Sequence, residues 1–162
     1  ELAGNAGLRV DDGIVVHTHC QTTAPDVFAA GDVANFHNPQ LDARLRVEHE
    51  DNALTMGATA GRNMAGEAEP YDHLPFFYSD LFDAGYEAVG RLNASLETVC
   101  KIEKVDDKGM AFYLDKEGRR VRGVLFWNLF GKLDAGRELI ASAGPHAVED
   151  LDAWAKARLA EA

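Results

Sequence analysis

The sequence is poor in cysteine. It has two cysteines, Cys20 and Cys100, and no Cys-x-x-Cys motif, so the pattern indicates neither a dithiol redox centre nor a structural zinc site. Isolated thiols of this kind are typical of a reducing compartment. We therefore expect both thiols to be reduced and the protein to be cytoplasmic.

Positive charge and long apolar runs are scarce as well. The chain has 16 lysine and arginine residues against 27 aspartate and glutamate residues, a formal net charge of −11. This balance argues against nucleic acid and against an anionic membrane surface, because both attract basic proteins. No apolar run approaches the roughly 18 residues of a membrane span. The start of the chain has neither an initiator methionine nor a signal-peptide pattern, which fits a segment of a longer protein.

The first part of the chain has an α/β pattern in which a strand ends on a carboxylate. Strands are predicted over 14–16 and 27–30, and Gly31-Asp32 follows the second strand directly. Glycine lets a ligand approach the backbone closely, and a carboxylate accepts strong hydrogen bonds from sugar-type hydroxyls. The alternative is that Asp32 only caps a turn or a helix.

A loop over 35–46 and a helix over 48–64 are predicted next. Acidic residues in the first turn of this helix suit the positive end of the helix dipole. One face is predicted from three- and four-residue spacing, and its glycines suggest close packing against a sheet; the face consists of Ala53, Met56, Gly57, Ala60, Gly61 and Met64.

The pattern changes near residue 70, after a linker that contains two prolines. Five strands, two turns and two helices are predicted beyond it: strands over 76–79, 86–90, 96–104, 110–114 and 121–128, turns over 106–109 and 115–118, and helices over 133–142 and 146–160. We therefore predict an α/β end-piece over 1–69, followed by an α+β domain over 70–162 with an antiparallel sheet and terminal helices.

Metal binding is an alternative interpretation of one short segment. His17 and His19 share one face of an extended segment, and Cys20 follows them, which are residue types that zinc accepts. No other group of ligands accompanies them in the sequence, so we predict no metal site.

Ordered motifs along the chain carry a resemblance to a known family. They are Phe28-Ala29-Ala30-Gly31-Asp32, Arg46-Val47-Glu48-His49-Glu50-Asp51-Asn52-Ala53, Ala60-Gly61-Arg62-Asn63-Met64-Ala65-Gly66, Phe77-Tyr78-Ser79-Asp80-Leu81, Gly85-Tyr86-Glu87-Ala88-Val89-Gly90, and Val124-Leu125-Phe126-Trp127-Asn128 with Arg137. Together they resemble the pyridine-nucleotide flavoprotein reductases, in the branch of apoptosis-inducing factor and the rubredoxin and ferredoxin reductases. The Gly-x-Gly-x-x-Gly turns with which that family binds FAD and NAD(P)H are absent from this chain.

The resemblance implies a set of cofactor-binding residues and no catalytic residue. Gly31 and Asp32 would hold FAD, and the other positions would line the flavin and nicotinamide: Glu48, His49, Glu50, Tyr78 and Glu87. Tyr78 stands where the family usually has tryptophan. The alternatives are an exposed helix-terminal histidine at 49, an ordinary core aromatic at 78 and an exposed strand glutamate at 87.

The fold and function implied by the resemblance concern a larger protein. Residues 1–69 would be the incomplete C-terminal part of an FAD-binding domain, and 70–162 the C-terminal reductase or dimerisation domain. The whole would be an FAD-dependent NAD(P)H oxidoreductase that passes electrons to a protein acceptor, a quinone or oxygen, while this segment alone would be inactive. The alternative is a non-catalytic interaction module, in which residues 70–162 mediate homodimerisation or dock an electron-transfer partner.

Overall fold

The chain folds as two units in the computed structural model, Glu1–Pro75 and Phe76–Ala162. The structure describes residues 1–102, 107–117, 119–142 and 144–160. The first unit contains α1 (Leu2–Asn5), β1 (Ile14–Val15), β2 (Ala34–Asn38), β3 (Ala43–Arg46) and α2 (Glu50–Met64). The second contains β4 (Phe76–Leu81), β5 (Ala84–Gly90), β6 (Glu97–Cys100), β7 (Gly109–Leu114), β8 (Val121–Trp127), α3 (Leu133–Ala141) and α4 (Val148–Leu159).

A β-hairpin occupies the stretch that was predicted to be a loop. β2 and β3 pair antiparallel, and β1 adds to β2 in parallel. The loop prediction over 35–46 is therefore wrong. The turn is organised by buried Asn38, whose side-chain oxygen accepts the N–H groups of Gln40 and Leu41, both at 3.1 Å. Polar side chains build this hairpin, so it lacks the apolar run by which strands are usually detected.

The predicted strand over 27–30 is also wrong. Phe28 makes an isolated antiparallel bridge with Gln21, and no ladder forms along this segment within the described residues. Ala30 nevertheless has an extended backbone, with φ −146° and ψ 163°. A strand needs a neighbouring strand with which to form a ladder of hydrogen bonds, and within the described part of the chain this segment forms a single bridge. Gly31–Val33 then forms a single 3₁₀ turn.

Helix α2 confirms the predicted helix, but not its predicted face. Gly57 and Gly61 are exposed, and a Cβ built on either would meet no atom within 4 Å. The buried side chains of α2 are instead mostly polar, namely Asn52, Met56, Thr59, Ala60 and Asn63. Asn63 shows the reason, because its amide donates to the carbonyls of His19 and Glu69 at 3.0 and 2.8 Å. Hydrogen bonds to neighbouring loops select this face.

The second unit is a five-stranded antiparallel sheet with two helices. The strand order is β4-β5-β8-β7-β6, so the predicted antiparallel sheet with terminal helices is confirmed. The predicted strand over 96–104 and the predicted turn over 106–109 extend into residues 103–106, which lie outside the described residues. The predicted turn over 115–118 likewise ends outside them, at 118.

The core of the second unit lies between the sheet and its helices. Phe112 and Phe126 are fully buried, and the Trp154 ring of α4 packs against both, with centroids 5.7 and 6.5 Å away. Helix α3 approaches through Gly136, where a Cβ would lie 2.7 Å from Val89 Cγ1 and 3.1 Å from the Phe126 ring. The glycine therefore sets how closely α3 lies on β5 and β8.

Two glycine substitutions should have opposite effects. Gly136→Ala is expected to lower the free energy of unfolding by about 1–2 kcal/mol, because overpacking outweighs the gain in helix propensity of about 1 kcal/mol. Gly57→Ala, on an exposed helix surface, keeps that gain and should raise the free energy of unfolding by up to about 1 kcal/mol. Urea unfolding of both variants tests this. A stabilising Gly136→Ala would contradict the packing of α3.

The two thiols should differ in reactivity. Burial, reinforced by the charge of Glu69, raises the pKa of Cys20 to about 11, whereas Cys100 is exposed. Because the thiolate is the reactive form, at about pH 8 we expect Cys100 to react rapidly with a disulfide reagent and Cys20 to react only after unfolding. Titration of Cys100→Ser isolates Cys20. Rapid reaction of that variant in native buffer would contradict the burial of Cys20.

Candidate functional site

The 3₁₀ turn Gly31–Val33 places Asp32 at the surface of the first unit. Gly31 is buried and has φ 71°, a left-handed conformation that glycine adopts without strain. A Cβ at Gly31 would lie 3.5 Å from Ala53, so the turn sits directly on the first part of α2. Asp32 is exposed, and its carboxylate has no hydrogen-bond partner within the described residues.

Asp32 and Glu48 line one open cleft. The cleft has a volume of about 860 Å³ and is bounded by α1, by residues around β1 and by the end of β3. Its polar lining consists of four acidic side chains and one arginine, namely Glu1, Asp12, Asp32, Glu48 and Arg46. Aliphatic groups complete the wall. The structure therefore brings together two of the predicted site residues, in an environment that favours neutral hydrogen-bond donors over anions.

Arg46 organises the acidic side of the cleft. Its guanidinium forms ion pairs with Glu48 and with Asp12, the latter at 3.0 Å, and donates to the Asp32 carbonyl at 3.4 Å. The hydrogen bonds that Arg46 donates to Glu48 and then to Asp12 raise the pKa of Arg46 above its ordinary value. The sequence motif contained Arg46 but gave it no role. The signal available was the alternation of β3, which places Arg44 and Arg46 on one face.

His49 and Glu50 begin α2. His49 is the N-cap, and its Nδ1 accepts the N–H of Asp51 at 3.3 Å. An accepting Nδ1 places the ring proton on Nε2, so the cap selects one tautomer of the neutral imidazole. Glu50 and Asp51 put two carboxylates at the positive end of the helix dipole. These residues follow Glu48 in the chain but are not among those that line the cleft.

Buried and partly buried hydrogen bonds link this helix start to residues 71–73. The Tyr71 hydroxyl donates to Asn52 Oδ1 and lies 3.0 Å from the Thr55 hydroxyl, and burial raises the pKa of Tyr71 to about 12. His73 Nε2 donates to Asp51 Oδ2 at 2.7 Å. Sequence reasoning assigned these residues no role. Residues 71–73 thus form hydrogen bonds with the first two turns of α2.

Tyr78 and Glu87 are cross-strand neighbours in the second unit. They lie directly opposite each other in the β4–β5 ladder, which puts their side chains on the same face. Tyr78 is 50% exposed and is therefore not an ordinary core aromatic. Glu87 Oε2 accepts the N–H of Gly131 at 2.8 Å, which fixes the carboxylate beside the loop between β8 and α3.

The described residues also bear on the candidate metal ligands and on the possibility of a membrane span. In the described part of the chain, no group of three or more histidine, cysteine, aspartate or glutamate side chains has the geometry of a metal site. His17 and His19 therefore lack a full ligand set among these residues. Over the same residues, no helix has both the length and the apolar character needed to cross a membrane.

Two family models match the chain in tandem. Residues 1–57 match the model described as pyridine nucleotide-disulphide oxidoreductase, and residues 60–107 match the C-terminal model of mitochondrion-associated apoptosis-inducing factor. The matches follow each other without overlap.

Individual proteins agree with the models. Apoptosis-inducing factor 1 of Dictyostelium discoideum is 37% identical over 88% of this chain and 28% of its own length. The ferredoxin–NAD(+) reductase component of the anthranilate 1,2-dioxygenase system of Burkholderia cepacia is 35% identical over 88% of this chain and 35% of its own length. The crystal structure of the covalent putidaredoxin reductase–putidaredoxin complex matches with a TM-score of 0.76 at 29% identity, covering 96% of this chain and 39% of that chain.

The chain spans about a third of the length of the curated relatives that it matches. Its similarity to them nevertheless runs through both units, and the two family models match residues 1–57 and 60–107. The chain carries matches to the pyridine nucleotide-disulphide oxidoreductase model and to the C-terminal model of apoptosis-inducing factor, and it is similar to the C-terminal portion of the apoptosis-inducing factors and ferredoxin reductases of that family.

Proposed function

We propose that this chain is part of an FAD-dependent NAD(P)H oxidoreductase and supplies one side of its flavin and nicotinamide site. The observation that carries the proposal is the placement of Asp32 and Glu48 in one cleft, next to the start of α2. When bound, FAD supplies the hydride acceptance and the electron release of the reaction. The protein supplies position and electrostatics.

The residues of the cleft fit the ribityl hydroxyls of FAD better than its diphosphate. Asp32 offers an exposed carboxylate to sugar-type hydroxyls, and Gly31 brings the backbone of the turn close to α2 without a side chain. The excess of acidic groups over the single Arg46 guanidinium in the lining disfavours a diphosphate. We therefore assign Asp32 to the ribityl chain, and we expect the diphosphate to be held by a Gly-rich turn of the larger protein.

The extended backbone before Asp32 supports the proposal that residues 27–30 belong to a larger sheet. Residues 27–30 are extended at Ala30 and carry one isolated bridge, at Phe28. We propose that this segment pairs with strands of the FAD-binding domain, which residues 1–69 would complete at its C-terminal end. The proposed second domain, residues 70–162, would then follow it.

The start of α2 is proposed to face the flavin. Its N-terminal N–H groups and dipole favour negative charge, which reduced flavin carries, so this placement would increase the driving force for hydride acceptance. Glu48 and His49 would lie by the flavin and nicotinamide, with Glu50 beside the flavin. The capped tautomer of His49 would present an Nε2–H donor there.

The electron acceptor is proposed from the relatives. One relative forms a covalent complex with putidaredoxin, and another is named a ferredoxin–NAD(+) reductase component. We infer a small ferredoxin-type protein as the acceptor of this protein too, with quinone or oxygen as the alternatives. Homodimerisation through residues 70–162 and a cytoplasmic location stay predictions.

The central test uses the intact protein. Purified with FAD available, it should show flavin absorbance that NADH or NADPH bleaches under anaerobic conditions. A reading frame that extends upstream with two Gly-rich fingerprints would agree with this. A gene that begins near Glu1, together with a protein that shows no flavin absorbance, would favour the non-catalytic module instead.

Asp32→Asn should weaken FAD binding. The amide keeps the shape of the side chain but loses a charged acceptor, and one hydrogen bond to a charged group contributes about 1.5–3 kcal/mol, so we expect about tenfold to hundredfold weaker retention. Asp26→Asn is the matched control, because Asp26 is also exposed but lies outside the cleft. Equilibrium dialysis with FAD measures both. Equal affinities in the two variants would remove Asp32 from the site.

Tyr78→Ala should raise the KM for the nicotinamide nucleotide. Loss of a stacked ring costs about 0.5–1.5 kcal/mol, so we expect KM to rise about threefold to tenfold, with FAD content unchanged. Phe82→Ala is the control, since Phe82 is a fully exposed aromatic of the same hairpin. Steady-state kinetics distinguish the two. Unchanged KM in Tyr78→Ala would leave Tyr78 as a surface aromatic only.

A further inference from the structure

Asp51 connects two histidines in the first unit. Its backbone N–H donates to His49 Nδ1 at 3.3 Å, and its Oδ2 accepts from His73 Nε2 at 2.7 Å. The Asp51 side chain is 9% exposed and the His73 side chain 27%. A carboxylate that is so deeply covered needs a strong partner, and the short bond to His73 supplies one.

His73 is itself held in place. Its carbonyl accepts Asn38 Nδ2 at 2.9 Å, which ties it to the end of β2. Two residues earlier, the Tyr71 N–H donates to the Thr18 carbonyl at 2.7 Å, and the Tyr71 ring packs edge-on against buried Phe36. The loop and the hairpin therefore hold the backbone of residues 71–73, from which the His73 ring reaches the Asp51 carboxylate.

We propose that Asp51 and His73 form a positioning pair for the His49 imidazole and the adjacent Glu50. This inference rests on the proposed function, in which the start of α2 faces the flavin and nicotinamide. His73 fixes the carboxylate of Asp51, and the Asp51 backbone then presents the N–H that fixes the orientation and tautomer of His49. His73 itself touches no reacting group in this assignment and acts through Asp51.

The geometry separates this role from simple helix capping. Asp51 at the first turn would interact favourably with the helix dipole without any partner. The bond to His73 adds a direction to that interaction, because it comes from a residue outside the helix. Small displacements of a positioned group can slow a reaction by up to about a hundredfold, so a fixed first turn matters more for rate than for stability.

The test compares two histidine–aspartate pairs in the intact flavoprotein. His73→Ala removes the covered pair, and His73→Gln keeps an N–H donor at a similar distance. His37→Ala removes an exposed pair, in which His37 Nε2 lies 3.4 Å from Asp42 Oδ1, and serves as the matched control. For each variant we would measure bound FAD, the anaerobic rate of flavin bleaching by NADH, the KM for NADH, and the tautomer of His49 by NMR of ¹⁵N-histidine-labelled protein, with His49→Ala used for assignment.

The His73→Ala protein should bind FAD, but hydride transfer from NADH to its flavin should be about tenfold slower. The KM should change little, because ground-state binding is retained while alignment is lost. Its His49 signal should change from the Nε2–H tautomer to a mixture. His73→Gln should stay within about threefold of the wild-type rate, and His37→Ala should match the wild type. A folded, FAD-replete His73→Ala protein with the wild-type rate and tautomer would overturn the inference.

Two further outcomes are distinguishable. If His73→Ala does not fold, Asp51→Asn replaces it, since the amide keeps the size of the side chain and removes its charge; a wild-type rate and tautomer in that variant would also overturn the inference. If the wild-type protein binds no FAD or is not bleached by NADH, the proposed function fails, and the positioning role falls with it.

Discussion

The buried hydrogen bonds between α2 and the segment that follows it are the constraint on which the first unit depends. A helix with a largely polar buried face gains little from apolar burial, so its position must come from directed bonds. Asn52 and Thr55 near the start of the helix and Asn63 near its end take part in these bonds, with Tyr71 and Glu69 as their partners. Because such bonds have a fixed geometry, they determine the position of the first turn of α2 and hence the positions of Glu48, His49 and Glu50.

The cleft follows from the same constraint. Gly31 adopts the left-handed backbone of this turn without strain and lies against α2, and Asp32 is exposed beside Glu48 in the cleft. Arg46 forms ion pairs with Asp12 and Glu48. It also donates to the Asp32 carbonyl, which joins the hairpin to this turn. Local backbone conformation and one arginine thus assemble groups that lie far apart in the sequence.

The sequence predicts the second unit better than the first, for a physical reason. The strands β5, β7 and β8 are marked by apolar and aromatic residues, and burial of these same residues stabilises the sheet, so the sequence pattern and the fold have the same physical cause. In the first unit, Asn38 and Arg44 stabilise a hairpin through hydrogen bonds that no hydropathy pattern records. The segment at Phe28 has strand-like residues without strand neighbours. Asp32 and Glu48 were identifiable by motif, whereas Arg46 and the Asp51–His73 pair depend on three-dimensional contacts between segments.

The distribution of spectroscopic residues gives each unit its own reporter. Both tryptophans, Trp127 and Trp154, lie in the second unit, and Trp154 packs in its core. The first unit contains no tryptophan but encloses the thiol of Cys20. Fluorescence therefore follows the loss of the helix–sheet core, while the rate of thiol labelling follows opening of the first unit. A comparison of the two would show whether the units unfold in one cooperative transition or independently.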